Sequence, residues 1–257
     1  MNGRTIRHDA QLEGILDFNE DIENRDPLTR GHSFRVTRYA VIIANGMGRS
    51  KSEIETVHQA AHVHDIGKDE WTIEDFQAKT LTPVQVEKIR RHPVRGAEML
   101  QEMGASKEIC DIVRYHHERF DGQSVKTTKG KKHVGYPGEV RGDKIPLPSR
   151  IISPVDTFDA LTAFRRYQPK VPISVAREEL KRCAGIGYNR TLIPGEQPEM
   201  QFDPEIVRVF LGIATVGSSK SKIEHAIGCP YVHRIDTSEI VIEPIGYNDC
   251  KVCKNLN

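Results

Sequence analysis

Two adjacent histidines, His116 and His117, follow a His64-Asp65 pair by about fifty residues. Histidine and aspartate side chains bind divalent metals such as zinc, iron and manganese. The chain holds three further candidate ligands: His32, His92 and Asp156. A catalytic zinc ion takes three protein ligands and keeps one position open, so these seven candidates are too many for one ion. Two ions that share a bridging carboxylate accommodate all of them, and the pattern therefore predicts a dinuclear metal hydrolase.

The bulk composition is that of an ordinary soluble globular protein, with 37% hydrophobic and 28% charged residues. A formal net charge of +1 gives no electrostatic reason to expect binding to DNA or to a membrane surface. No apolar run approaches the length of a bilayer span, and residues 1–7 lead into no apolar signal-peptide core. A cytoplasmic location is therefore expected.

Helical spacing of apolar residues runs through most of residues 8–215, which predicts an all-α fold. The spacing predicts a first helix over 12–22 and a second over 29–46. Ser50 and Glu53 form a capping-box pattern, which predicts that a third helix begins there and ends at the His64-Asp65 pair.

Further helix starts are predicted where a capping residue or a first-turn proline precedes an apolar pattern. These starts are at Thr82-Pro83, Ser106, Pro148, Pro172 and Asp203-Pro204. Pro93 is expected to interrupt the helix that begins near Thr82, because proline lacks the N–H that continues a helix.

Two regions depart from the helical pattern. Residues 119–148 are rich in glycine and proline, which predicts a long loop. From residue 217 the composition changes to a serine- and lysine-rich linker, and residues 239–243 have the pattern of a short strand. We therefore expect a helical domain over residues 1–216 and a small irregular or short-strand tail over residues 217–257.

The tail also holds three cysteines with the spacing of a metal knuckle: Cys229, Cys250 and Cys253. With His225 or His233 they could form a structural zinc site. A tail with free thiols is the alternative interpretation. Cys110 lies in an apolar helical pattern and is expected to be a small core residue.

Five ordered motifs resemble the HD phosphohydrolase superfamily and, within it, the HD-GYP family. They are Asp26-Pro27 with the segment 29–33, His64-Asp65-Ile66-Gly67-Lys68, His92-Pro93, the segment 116–122, and Gly135-Tyr136-Pro137 with the segment 156–162. The similarity extends over about residues 20–215. The HD-GYP family hydrolyses the bacterial second messenger cyclic di-GMP. The resemblance therefore implies an HD-domain helical bundle and a phosphodiesterase that yields linear pGpG, GMP or both.

The resemblance also implies a metal site and its composition. It assigns metal ligation to His32, His64, Asp65, His92, His116, His117 and Asp156. It implies two ions, because Leu28 stands where some family members have a glutamate that binds a third. Mixed histidine and carboxylate ligands suit iron or manganese, and zinc is the alternative.

Further roles follow from the chemistry of a phosphodiester at such a site. Asp65 is expected to bridge the two ions and to serve catalysis. Lys68 is expected to hold a phosphate oxygen or the leaving oxygen, and it faces the same way as His64 if the helix persists. Arg165 is the candidate for a second phosphate contact, because a guanidinium fork matches phosphate geometry. Tyr136 is expected to contact the substrate or a signalling partner, or simply to pack the loop.

Departures from the family pattern leave the substrate open. Residues 123–134 form an insert where the family has one residue, and Arg165-Arg166-Tyr167 replaces an Arg-Pro-Tyr sequence. One alternative is an HD phosphohydrolase that acts on another nucleotide or cyclic dinucleotide. The other is a non-catalytic module that senses a cyclic dinucleotide or docks a signalling protein through the Gly-Tyr-Pro loop. The complete set of ligands argues against a non-catalytic role.

Overall fold

The computed structural model describes most of the helical part of the chain and short pieces of the tail. The described residues are 3–25, 31–78, 82–123, 125–126, 132–133, 135–163, 171–186, 200–212, 215–218, 223–226, 240–241 and 248–249.

Helices dominate the described residues, in agreement with the predicted all-α class. In chain order they are α1 (Gly3–Asn24), α2 (His32–Gly46), α3 (Lys51–His62), α4 (Ile73–Gln77), α5 (Pro83–Glu102), α6 (Lys107–Arg114), α7 (Leu147–Thr162), α8 (Ile173–Cys183) and α9 (Pro204–Gly212). The described residues also include two short 3-10 turns, at Ile66–Lys68 and Gly142–Lys144. Only α4 was not predicted, because five residues are too few to show a helical period.

The core is built around α2, which packs against α3 and α7. Val36 and Ile43 on α2 are fully buried, and each such side chain stabilises the fold by roughly 1.5–3 kcal/mol. The rings of Phe158 on α7 and Phe210 on α9 lie 5.2 Å apart in edge-on geometry, which ties α9 to this core. Cys110 is buried, as expected of a small core residue.

The predicted helix caps are confirmed at the starts of α3, α5 and α6. Ser50 accepts from the backbone of Glu53, whose carboxylate accepts from the Ser50 backbone in return. Thr82 and Gln85 make the same reciprocal pair at α5, and Ser106 caps α6. A cap of this kind contributes about 1 kcal/mol, so these helix starts are fixed by a few local residues.

The prediction that α3 extends to the His64-Asp65 pair is wrong. The helix ends at His62, and the C-cap residue Val63 already has φ −112° and ψ 11°. Asp65 then opens the 3-10 turn Ile66–Lys68. This turn packs closely on α5, where Gly67 faces the backbone of Gly96. Tertiary packing therefore ends the helix before its own pattern does.

The expected interruption at Pro93 is also wrong, because α5 continues through this residue to Glu102. Proline removes the N–H that would bond to the carbonyl four residues earlier, which is that of Ile89. The ring Nδ1 of His92 lies 2.6 Å from this Ile89 oxygen. The side chain thus satisfies the carbonyl that the proline leaves free.

The predicted loop between α6 and α7 is confirmed. It contains the second 3-10 turn and a two-residue antiparallel pair, β1 (Val125–Lys126) with β2 (Lys132–His133). The second helix begins at His32, with Gly31 as its N-cap, and the predicted start near residue 29 falls in residues 26–30, which lie outside the described residues.

Short strands occur towards the C-terminus, as the strand pattern at 239–243 predicted. They are β3 (Thr215–Ser218), β4 (Ile223–Ala226), β5 (Ile240–Val241) and β6 (Asn248–Asp249), in the sheet order β5-β3-β4-β6. β3 spans the predicted boundary between residues 216 and 217, and the division into domain and tail stays a prediction. Cys229, Cys250 and Cys253 lie outside the described residues, so the zinc knuckle also stays a prediction.

Within the described residues, no helix combines the length and the apolar character that a bilayer span requires.

Candidate metal centre

The seven candidate ligands come from separate elements and meet at one place in the fold. They are His32 at the start of α2, His64 and Asp65 in the turn after α3, His92 in α5, His116 and His117 after α6, and Asp156 in α7. Their side chains are buried or nearly so. Convergence of ligands from facing helices is how helical bundles build metal sites.

Asp65 lies in the middle of this cluster. Its Oδ2 is 3.5 Å from Nε2 of His32 and 3.5 Å from Nε2 of His64. Its Oδ1 is 3.3 Å from Nε2 of His92. The two oxygens of one carboxylate therefore face two different sets of histidines, which is the arrangement of a bridging ligand.

The other ligand atoms divide into two sets on either side of Asp65. One set is His32, His64 and Asp156, and the other is His92, His116 and His117; within each set the ligand atoms lie within 4.8 Å of one another. A third combination, His64, Asp65 and His116, meets the same limit and connects the two sets. The cluster can therefore hold metal, and it offers three ligands on each side of a shared carboxylate.

Backbone carbonyls orient three of the imidazoles. Nδ1 of His64 lies 2.8 Å from the Ala61 oxygen, and Nδ1 of His116 lies 2.6 Å from the Val113 oxygen. His92 makes the same contact with the carbonyl that Pro93 leaves free. A carbonyl oxygen only accepts, so each Nδ1 carries the proton and each Nε2 presents a lone pair to the cluster.

The protonation states of the carboxylates and of the second histidine set suit metal binding. Burial would raise the pKa of Asp65, but Lys68 and His64 outweigh it and hold that pKa well below its usual range. Burial and the neighbouring histidines lower the pKa of His116 well below its ordinary value, and that of His117 to about 3. Ionised carboxylates beside neutral imidazoles are the forms that coordinate metal ions.

Two features of the cluster suit a bound cation. Nε2 of His64 is buried and has no hydrogen-bond partner among the described residues. Burial would lower the pKa of His32, but hydrogen bonds with Asp156, Asp159 and Asp65 raise it well above its ordinary value. A buried nitrogen without a hydrogen bond, next to several carboxylates, fits the place of a cation.

Asp159 supports the site although the sequence analysis gave it no role. Its Oδ2 accepts from Nδ1 of His32 at 2.7 Å, and its Oδ1 accepts from Nε of Arg35 at 2.6 Å. Burial alone would raise the pKa of Asp159, yet these two partners lower it to about 2. Asp159 lies one helical turn after Asp156, and that spacing was the signal available in the sequence.

Lys68 reaches the cluster by a different route from the one predicted. The helix does not persist beyond His62, so Lys68 does not lie one helical turn above His64. Instead the 3-10 turn places its Nζ 2.5 Å from Oδ2 of Asp65. A cation is therefore present at the edge of the cluster, next to the central carboxylate.

Tyr136 packs over the second set of histidines. Its ring lies 4.6 Å from the ring of His117, and its backbone N–H donates to the His117 carbonyl at 3.2 Å. Burial raises the pKa of its phenol. Glu118 holds the following residues by accepting from the backbone of Gly138 and Glu139. The Gly-Tyr-Pro loop is thus fixed against the cluster.

Arg165, the other predicted substrate contact, lies outside the described residues.

The fold agrees with what comparison with known proteins shows. The family model described as HD domain matches residues 18–192, so the chain belongs to the HD domain family. The resemblance to the HD phosphohydrolase superfamily, and the helical bundle that it implied, are confirmed.

Curated relatives carry more specific names. The chain is 34% identical over 171 residues to 3'3'-cGAMP-specific phosphodiesterase 3 of Vibrio cholerae, a match that covers 65% of this chain and 35% of that protein. It is 30% identical over 212 residues to a cyclic di-GMP phosphodiesterase of Thermotoga maritima, which covers 80% of this chain and 50% of that protein. The chain therefore spans half or less of the length of these relatives.

A solved structure shares the fold. The HD domain of the L. monocytogenes phosphodiesterase PgpH, in complex with cyclic di-AMP, superposes with a TM-score of 0.51 at 23% identity. The match covers 77% of this chain and 91% of that one.

Proposed function

We propose that this chain is a dinuclear-metal phosphodiesterase that hydrolyses cyclic di-GMP to linear pGpG, GMP or both. The observation that carries the proposal is the position of Asp65, whose two oxygens face two separate sets of ligands. A single ion would need neither both sets nor a carboxylate between them. The names of the relatives support a cyclic dinucleotide as the substrate class.

The protein contributes charged side chains, held rigidly by their hydrogen bonds, that would bind two ions. When bound, such ions activate water and neutralise the charge that develops on the phosphodiester. Asp65 and Asp156 are the carboxylates of the cluster, so the loaded site keeps a net positive charge towards an incoming phosphate. The mixed donor set favours iron or manganese, with zinc as the alternative.

Lys68 adds a positively charged hydrogen-bond donor beside these ligands. In this structure its ammonium donates to Asp65 Oδ2, an oxygen that a bound metal would engage. With metal bound, Lys68 would be free to donate to a nonbridging oxygen or to the leaving oxygen of the substrate. Tyr136 and Arg165 are proposed as further substrate contacts. A docking role of the Gly-Tyr-Pro loop for a signalling protein, and a cytoplasmic location, stay predictions.

The alternative substrate is 3'3'-cGAMP. The observation that favours it is the 34% identity to a phosphodiesterase named for that molecule. Both molecules present phosphodiesters to the same metal cluster, so the choice between them rests on contacts to the bases.

The proposal predicts metal-dependent release of linear dinucleotide or mononucleotide. Protein purified without oxygen, with its metal content measured, is incubated with cyclic di-GMP, 3'3'-cGAMP and cyclic di-AMP, and the products are separated by chromatography. We expect cyclic di-GMP to be cleaved fastest, and chelation followed by Mn²⁺ or Fe²⁺ to remove and restore the activity. Cleavage of 3'3'-cGAMP alone would establish the alternative. Loaded protein that binds these molecules without cleaving any of them would show a sensor instead.

The role of Lys68 makes a separate prediction. In Lys68→Ala we expect full metal content but a turnover lower by about 10²-fold, because one charge-assisted contact to the reacting phosphate is lost. Lys51→Ala removes an exposed lysine on α3 and serves as the control, with unchanged turnover. Turnover in Lys68→Ala within twofold of the parent would exclude Lys68 from the reaction.

A further inference from the structure

Trp71, the single tryptophan of the chain, lies beside the metal cluster without being one of its candidate ligands. The Nζ of Lys68 is 5.0 Å from the centroid of the Trp71 ring. The same ammonium bonds Asp65 at 2.5 Å. Lys68 therefore lies between a carboxylate and the face of an indole, and the Lys68 side chain is only 20% exposed.

Hydrogen bonds fix the backbone that carries the Trp71 ring. The backbone N–H of Trp71 donates to the Lys68 carbonyl at 3.0 Å, which closes the turn between the two residues. Arg25, the residue that follows α1, donates to the Asp69 carbonyl at 2.5 Å. Arg95 on α5 donates to the Asp69 carboxylate at 3.0 Å. Two other elements thus fix the turn that carries Trp71.

Neighbouring rings fix the orientation of the indole. Phe76 packs against it at 5.1 Å between centroids, and His92 meets it edge-on at 6.3 Å. With these neighbours in place, the indole can offer a face to Lys68 without rearranging. An aromatic face attracts an ammonium ion within about 6 Å, and more strongly where water is excluded.

We propose that Trp71 is the positioning residue for Lys68, and this inference rests on the proposed function. A carboxylate oxygen that binds a metal has less electron density to share with an ammonium, so the hydrogen bond between Asp65 and Lys68 would weaken in the metal-loaded enzyme. Because the lysine side chain has a flexible four-carbon stem, its ammonium would then turn towards solvent. The indole face keeps the ammonium at the cluster, where it meets the substrate phosphate.

The first test is a double-mutant cycle on the metal-loaded full chain with cyclic di-GMP. In Trp71→Leu we expect turnover to fall about tenfold, the rate equivalent of one strong cation–π contact. KM should change less than turnover, and Trp71→Phe should restore most of the loss, since phenylalanine keeps an aromatic face. In a Lys68→Met background, Trp71→Leu should have no further effect. An additive, undiminished loss in that background would overturn the inference.

The second test needs no catalysis. Reductive methylation with ¹³C-formaldehyde labels lysines and keeps their charge. The Lys68 signal, identified by its absence in Lys68→Met, should be shifted upfield by the indole ring. This shift should persist in the zinc-loaded protein and disappear in Trp71→Leu with metal content unchanged. An identical Lys68 signal in Trp71→Leu and in the parent overturns the inference. Because this measurement is independent of turnover, it tests the contact between Trp71 and Lys68 even if the chain cleaves no cyclic dinucleotide.

Discussion

Asp65→Ala is expected to remove both metal ions and to lower phosphodiesterase activity by about 10³-fold or more. Asp65 has one oxygen 3.5 Å from both His32 and His64 and the other 3.3 Å from His92. In the proposed dinuclear site, removing it would take a ligand from both ions at once. It would also remove a negative charge that reduces the repulsion between the two cations.

The loss of metal in Asp65→Ala should exceed that caused by removing any ligand that belongs to one set alone. His64→Ala leaves Asp65 and the second set intact, so we expect it to abolish activity while keeping about one ion per chain. The measurement is metal content per chain by elemental analysis, with turnover on cyclic di-GMP beside it. Asp17→Ala makes the same substitution at an exposed carboxylate on α1 and should keep both metal and activity. Two ions per chain in Asp65→Ala would show that this carboxylate does not bridge.

Gly67→Ala is expected to destabilise the fold by about 3 kcal/mol or more and to empty the metal site with it. A Cβ at this position would overlap the backbone oxygen of His92 and the backbone nitrogen of Gly96. Both atoms belong to the backbone of α5 and cannot move aside as a flexible side chain would. The 3-10 turn must then shift away from α5, which separates Asp65 from His92.

Chemical denaturation of Gly67→Ala gives the free energy of unfolding, and elemental analysis gives its metal content. Gly14→Ala is the matched control, because nothing lies within 4 Å of a Cβ at this exposed helical glycine. We expect it to stabilise α1 by about 0.5–1 kcal/mol, since alanine favours the helix. Parent-like stability and metal content in Gly67→Ala would show that the turn and α5 can separate without harm.

The helix starts and the ligand types could be predicted because both are local properties. Ser50 with Glu53 and Thr82 with Gln85 satisfy their own backbone groups within four residues, whatever the rest of the chain does. A histidine or an aspartate likewise carries its affinity for metal in its own side chain. The seven candidate ligands could therefore be named before any distance between them was known.

Tertiary packing determined how these candidate ligands are arranged. The apolar pattern of α3 continues towards His64, yet the helix ends at His62 because Gly67 brings the next turn onto the backbone of α5. That departure turns Asp65 so that its oxygens face both histidine sets, and it brings Lys68 to Asp65 instead of placing it above His64.

The contacts that support the candidate ligands could not be predicted from the sequence for the same reason. Asp159 bonds His32 across more than a hundred residues of sequence, and Pro93 frees a carbonyl that is useful only because His92 can reach it. The sequence by itself determined which groups can bind metal and where most helices begin, since these depend on neighbours along the chain. Only the folded structure decided that one carboxylate lies between two ligand sets, because that depends on distances between segments far apart in sequence.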